Sequence, residues 1–109
     1  MVFNLTKKTI LSEKISLQKG FGKFFGLLRK NKAEPIVFKT RFGIHTFFLK
    51  FPIDLVVLSN DRKVVFIKEN IMPNKIVLWN IKYNLVIELP KGYIKKSNTK
   101  KGDILEFNL

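Results

Sequence analysis

The chain has 109 residues, of which 46% are hydrophobic and 13% aromatic, so we predict one folded domain over residues 1–109 rather than a disordered segment. It contains no cysteine, which excludes a disulfide framework and a thiolate metal site. Its formal charge of +13 makes a polyanion, either nucleic acid or an anionic membrane surface, a reasonable partner hypothesis, although a lysine coat that maintains solubility also explains the charge.

The first third of the chain predicts two short strands and a helix. Apolar and β-branched residues within 2–5 and 9–17 predict the strands. Between Phe21 and Leu28, apolar residues recur at helical spacing, which predicts one short amphipathic helix. Its apolar face either packs on the core, which we favour, or lies on a membrane surface. We see no signal peptide and no apolar run long enough to cross a bilayer, so we expect a cytoplasmic protein.

The rest of the chain predicts further short strands. One begins at residues 36–38, a hairpin joins 55–58 to 64–67, and another strand alternates from Tyr83 to Leu89 and ends at Pro90. About seven short strands with turns between them predict a mostly β fold, a small β-sandwich or barrel. We expect residues 70–80 to form a connection rather than a regular strand, 91–101 a basic loop or single helical turn, and 104–109 the last strand.

Residues 45–59 carry the clearest pattern, and we expect the domain to be organised around them. Every second residue from Phe47 to Val57 is apolar, which is the period of a β-strand with one buried face. The stretch therefore predicts one long strand, or two strands joined at Pro52. We expect its polar residues on the opposite face, near the rim: His45, Thr46, Lys50 and Asp54.

Four short blocks of sequence occur in a recognisable order. They are Gly26-Leu27-Leu28 with Arg29, Ile44 to Phe47 leading through Lys50 to Asp54, Glu88-Leu89-Pro90-Lys91-Gly92, and Gly102-Asp103. Over about residues 20–109, their order and spacing resemble the family called domain of unknown function 192. The resemblance implies a compact β-fold of jelly-roll character, but no mechanism, because the family has no agreed activity. Relatives usually carry a glycine where this chain has Arg62, so we expect the positive φ of that turn at Asn60 or Asp61.

Patterns for catalysis or metal binding are weak. His45 is the single histidine, and a metal site built from it with Asp54 and Glu88 matches no predictive ligand spacing, so we predict no metal and no cofactor. The sequence has neither a nucleophile elbow nor a phosphate-binding glycine loop. We therefore predict no catalytic residues, and the sequence favours a non-enzymatic domain without excluding an enzyme.

Asp54 interrupts an apolar run, and a buried carboxylate has to be hydrogen-bonded or paired. Two interpretations remain open from the sequence. Asp54 either accepts backbone N–H bonds and fixes a corner of the chain, or it lines a small polar pocket with His45, Thr46 and Lys50. Arg29 either binds an anion or hydrogen-bonds the end of the predicted helix.

Three functions follow as hypotheses. The first is a non-enzymatic β-domain that acts as a binding or interaction module near the central strand, with His45, Thr46, Lys50, Asp54 and Arg29 as ligand-binding residues. The alternative is nucleic-acid or polyanion binding through a lysine-rich surface, which the scarcity of arginine weakens. The third is a small hydrolase or isomerase near His45 and Asp54. We expect a monomer that binds an anionic ligand or nucleic acid.

Overall fold

The computed structural model describes residues 1–17, 34–40, 43–47 and 49–108. Within these ranges the chain is mostly β, as the sequence predicts. The helix predicted between Phe21 and Leu28 lies outside them, and none of the described helices is long and apolar enough to span a membrane. The elements are β1 (Val2–Asn4), β2 (Thr9–Ser12), β3 (Ser16–Leu17), β4 (Ile36–Lys39), β5 (Gly43–His45), β6 (Ile53–Leu58), β7 (Val64–Ile71), β8 (Ile76–Leu78), β9 (Leu85–Pro90), α1 (Tyr93–Ser97) and β10 (Leu105–Phe107).

The strands form sheets of three sizes. The central sheet has five strands in the order β3-β4-β9-β6-β7, with β3 parallel to β4 and the other pairs antiparallel. A three-stranded sheet has the order β10-β1-β2, and β5 pairs with β8 in a two-stranded ribbon. Among the described residues these sheets do not close, so the barrel alternative is wrong, while the prediction of a mostly β fold is confirmed.

The inner strands β4, β9 and β6 of the central sheet are buried on both faces, which gives the domain three layers. One face packs against β10-β1-β2 and α1 through a cluster that includes Val2, Leu11, Val56, Leu58, Ile87, Leu89, Ile94, Leu105 and Phe107. The other face packs against the β5-β8 ribbon and the residues next to it through a cluster that includes Ile36, Phe38, Leu49, Ile53, Leu55, Val57, Val77, Trp79 and Val86.

The strand predicted over residues 45–59 differs from the structure in two respects. β5 ends at His45 and β6 begins at Ile53, so a loop separates two strands of different sheets. All six residues of β6 are buried, whereas Phe47 of the predicted apolar row is 37% exposed. The alternating pattern belongs to a strand with one solvated face, but β6 lies in a middle layer and is covered on both faces.

Three other local predictions are confirmed, and a fourth is wrong. The hairpin is confirmed as β6 and β7, the alternating strand as β9, and the single helical turn as α1. The prediction for residues 70–80 is wrong, because β7 continues to Ile71 and residues 76–78 form β8. β8 pairs with β5, which lies more than thirty residues earlier, and a local pattern cannot indicate a partner so far along the chain.

The β6-β7 turn places its positive φ at Arg62, with φ 66°, and not at Asn60 or Asp61, so that prediction is wrong. The Arg62 N–H donates to the Ser59 carbonyl at 2.9 Å, and a left-handed residue after such a turn is a common hairpin ending. A left-handed conformation costs a non-glycine residue roughly 1 kcal/mol. The Arg62 side chain offsets this cost, because its guanidinium lies 3.9 Å from the Phe107 ring centroid and donates to the Phe107 carbonyl at 3.0 Å.

Candidate functional site

The Asp54 carboxylate is fully buried and is satisfied by backbone donors. Its Oδ1 accepts the Asn70 N–H at 2.9 Å, and its Oδ2 accepts the Gly92 and Ile94 N–H groups at 3.0 and 3.1 Å. These bonds join β6, β7 and the start of α1 at one point. The observed contacts match the first of the two interpretations left open by the sequence, in which Asp54 accepts backbone N–H bonds and fixes a corner of the chain.

Two unusual backbone positions bring these donors to Asp54. The β6-β7 pairing has an irregularity between Ile53 and Leu55, opposite Asn70, which has φ 51°. Gly92 has φ 95° and is the N-cap of α1, a conformation that favours glycine. The Asp54 position therefore depends on a β-bulge and on a glycine that turns the chain from β9 into α1.

Thr46 is also fully buried and has a comparable structural role. Its hydroxyl donates to the Met72 carbonyl at 2.7 Å and accepts the Lys75 N–H at 2.8 Å. Its backbone N–H donates to the Lys75 carbonyl at 2.8 Å, and its carbonyl accepts the Asn74 N–H at 3.0 Å. Thr46 therefore holds the loop between β7 and β8 against the end of β5.

The remaining predicted site residues lie elsewhere. His45 is exposed and stacks on Phe47 with ring centroids 4.9 Å apart, and Lys50 is exposed in the loop before β6. Arg29 lies outside the described residues. The structure thus places Thr46 and Asp54 in the interior, where backbone groups are their partners. It places His45 and Lys50 at the surface. A direct role of these four residues in ligand binding stays a prediction.

The carboxylates do not converge on a metal position. Glu88 is opposite Leu55 in the β6-β9 pairing, whereas Asp54 is opposite Leu89. Successive residues of a strand point to opposite faces, so the Asp54 and Glu88 side chains lie on different sides of the central sheet. Among the described residues, no three histidine or carboxylate side chains lie close enough to hold a metal ion.

A cleft of about 890 Å³ lies where β2, the start of β4, the residues before β6 and the end of β9 meet. This volume falls within the usual range for small-molecule sites. Its apolar wall includes Pro35, Phe51, Pro52, Pro90 and Tyr93. Sequence reasoning missed the cleft, although two blocks of the family pattern, Lys50 to Asp54 and Glu88 to Gly92, adjoin each other here through the β6-β9 pairing.

Charged side chains line the rest of the cleft. They are Lys14, Lys91 and Lys96, with Glu13 and Glu34, so the lining carries one more positive charge than negative. Asp54 fixes the backbone that carries the Tyr93 part of the wall. Its Oδ2 holds the N–H groups of Gly92 and Ile94, which are the residues on either side of Tyr93.

A second feature is a group of lysines around α1, here called the lysine corner. The Thr9 hydroxyl donates to the Ser97 carbonyl at 2.6 Å, so the turn between β1 and β2 lies beside α1. Residues 1–12 and 91–101 contain no acidic residue. The exposed members of the lysine corner are Lys8, Lys95, Lys96, Lys100 and Lys101.

The carboxylate of Asp103 is buried next to the lysine corner. Lys7 Nζ lies 2.8 Å from its Oδ1, and Asn4 Nδ2 and the Lys100 N–H donate to its Oδ2, each at 2.9 Å. Burial alone raises the pKa of Asp103, but these hydrogen bonds and the Lys7 charge more than offset burial, so the pKa lies below its ordinary value. Asp103 thereby ties β1 to the loop after α1.

Comparisons with known proteins give the fold and the family. The structure is similar to that of a candidate transcription regulator from Sinorhizobium meliloti 1021, with a TM-score of 0.69, 20% sequence identity, and coverage of 84% of this chain and 79% of that one. It is also similar to a protein of unknown function from Novosphingobium aromaticivorans DSM 12444, with a TM-score of 0.71, 18% identity, and coverage of 86% and 73%. No curated protein matches the chain. The family model described as an uncharacterized ACR matches residues 23–107, and the chain therefore belongs to the domain of unknown function 192 family.

Proposed function

We propose that this domain is a non-enzymatic binding module that takes a small anionic ligand with an aromatic or apolar part in the cleft beside β6. The observation that carries the proposal is the composition of the cleft wall. Phe51, Pro52 and Tyr93 offer rigid apolar surface, and Lys91 and Lys96 offer positive charge at its edge. Apolar walls with a few placed polar groups are typical of small-molecule sites.

Asp54 acts in this proposal as a positioning residue rather than as a ligand contact. Its carboxylate bonds to the N–H groups of Gly92 and Ile94 set the path of the chain through Lys91 and Tyr93. Lys50 and His45 are exposed outside the lining of the cleft. The central stretch therefore contributes Phe51 and Pro52 to the wall and Asp54 to its support.

A chemical-shift titration of the amide resonances tests the proposal. The probes are phenyl phosphate, which combines an anion with an aromatic ring, inorganic phosphate, which supplies the anion alone, and benzyl alcohol, which supplies the ring alone. We expect phenyl phosphate to bind most tightly and to shift the amides of residues 51 and 91–96. Saturable shifts spread over all the exposed lysines, or equal affinity for inorganic phosphate, would contradict the proposal.

Matched variants separate the cleft from the general positive charge. Lys91→Gln and Lys96→Gln should each weaken phenyl phosphate binding by roughly twofold to fivefold, the range expected for an exposed charge. Lys82→Gln removes an equally exposed lysine outside the cleft lining and should leave the affinity unchanged. Equal effects from all three variants would mean that the anion responds to net charge only.

The lysine corner favours a second candidate function, binding of nucleic-acid phosphates. Exposed lysines lie in the β1-β2 turn, in α1 and in the loop after it, and these segments meet at the Thr9–Ser97 hydrogen bond and contain no acidic residue up to residue 101. One structural neighbour is described as a candidate transcription regulator, which is a reason to include DNA among the probes. Binding to generic DNA and RNA should weaken steeply with salt and should fall in a Lys95→Gln, Lys100→Gln variant. Salt-independent binding, or none, would rule this function out.

The proposal also covers location and assembly. We expect a cytoplasmic monomer, because the cysteine-free sequence suits a reducing compartment and a charge of +13 opposes self-association at low salt. Sedimentation of the purified chain at low and high salt tests the monomer.

A further inference from the structure

An exposed apolar surface lies on the outer side of the β5-β8 ribbon, opposite the side that packs on the core. Pairing places His45 beside Ile76 and Gly43 beside Leu78, so these residues share one face. Val77, between them on β8, points the other way and is 4% exposed. Ile76 and Leu78 are 63% and 68% exposed, and Phe47 stacks on His45 at 4.9 Å. We call His45, Phe47, Ile76 and Leu78 the ribbon face.

The segments next to the ribbon face in the sequence carry only positive charge. Residues 39–53 and 70–87 contain five lysines and arginines and no acidic residue. The described lysines nearest to the ribbon face in the sequence are exposed. They are Lys50, Lys75 and Lys82. Single exposed apolar residues are ordinary on soluble proteins, but a group of them that strand pairing places on one side, with lysines next to it in the sequence, is typical of an interaction surface.

We propose that the ribbon face docks on an anionic lipid bilayer, independently of any ligand in the cleft. The exposed side chains of Ile76, Leu78 and Phe47 enter the boundary between headgroups and acyl chains, while the lysines beside them contact the anionic headgroups. Neither contribution alone gives stable attachment, but apolar insertion and basic attraction together do.

Charge and size favour a bilayer over the other possible occupants. A second copy of the chain would bring two charges of +13 together. A stable protein interface takes roughly 20–30 residues from each partner, whereas the ribbon face consists of four residues. A fluid bilayer accepts projecting side chains without shape complementarity, and its anionic headgroups complement the lysines.

Vesicle co-sedimentation tests the proposal. The full chain is mixed with phosphatidylcholine vesicles and with vesicles that also contain phosphatidylserine, at low and at physiological ionic strength. We expect binding to the phosphatidylserine vesicles only. The double variant Ile76→Thr, Leu78→Thr, which has a β-branched residue with high strand propensity at both positions, should bind them roughly tenfold or more weakly. Lys75→Gln and Lys82→Gln should each reduce binding by roughly fivefold.

Controls keep the result specific to the ribbon face. Leu5→Thr and Ile10→Thr change apolar residues that are each 45% exposed, in the β1-β2 turn and in β2, and both variants should bind vesicles like the wild type. Unchanged melting temperatures show that the double variant folds. Equal binding by the double variant and the wild type would mean adsorption by charge alone and would overturn the proposal. So would a dimer, seen by sedimentation, that the double variant dissociates.

Discussion

Replacing Asp54 by asparagine tests the central structural assignment, because it keeps the size and shape of the side chain while removing the charge and one acceptor oxygen. The carboxylate accepts three backbone N–H bonds, two on Oδ2 and one on Oδ1. An asparagine can keep its oxygen toward Gly92 and Ile94, but its NH₂ group then faces the Asn70 N–H. One hydrogen bond is lost, one donor faces another, and the two remaining bonds lose their charged acceptor.

The expected cost follows from these changes. A hydrogen bond to a charged group contributes about 1.5–3 kcal/mol, and an unsatisfied buried donor costs about 1–3 kcal/mol. Relief of the buried charge offsets part of this loss. We therefore expect Asp54→Asn to lower the free energy of unfolding by about 3 kcal/mol, a large fraction of the roughly 5–15 kcal/mol that stabilises a typical domain.

Urea unfolding and amide hydrogen exchange measure the effect. The matched control is Asp61→Asn, an exposed aspartate in the β6-β7 turn, which should change the stability by less than about 0.5 kcal/mol. The amides of Gly92 and Ile94 should exchange faster in Asp54→Asn, and phenyl phosphate binding should weaken with them. A stability loss below about 1 kcal/mol together with unchanged exchange at both amides would refute the assignment.

Two further predictions concern Asp103 and Arg62. Because the native pKa of Asp103 is lowered, its ionised form stabilises the fold above the ordinary value of 3.8, and this contribution is lost as the pH falls from there through the native pKa. In urea unfolding measured across that acid range, the free energy of unfolding of Asp103→Asn should fall less steeply with decreasing pH than that of the wild type. Parallel curves of free energy against pH would contradict this. Arg62→Gly should be more stable than Arg62→Ala by about 1 kcal/mol, because both variants lose the contact with Phe107 but only glycine adopts a left-handed φ without strain. Equal stabilities of the two variants would contradict the strain assigned to this position.

Local patterns predicted those elements whose structure depends on neighbouring residues. The β6-β7 hairpin has a polar turn between two apolar runs, and β9 alternates until a proline. The same reasoning failed at Arg62, because its left-handed conformation is supported by Phe107, which is distant in sequence. It failed at β8 for the same reason, since the partner of β8 is β5.

The candidate site was predicted only in part. The sequence singled out Asp54 as a carboxylate that needs partners, but those partners are N–H groups at Asn70, Gly92 and Ile94, and no side-chain pattern marks them. Thr46 was expected near a rim and is buried against the loop that leads to β8. The cleft itself is formed by four separate segments, so its residues had no common signature in the sequence.

The sequence by itself determined the fold class, the hairpin, the last strands and the family, because each rests on composition or on short blocks of neighbouring residues. Only the tertiary structure decided that β6 is covered on both faces, that Asp54 joins β6, β7 and α1, and which apolar residues of β8 face outward. The physical reason is that burial and hydrogen-bond partners depend on which sheets stack on which, and stacking is set by contacts between segments far apart in the chain.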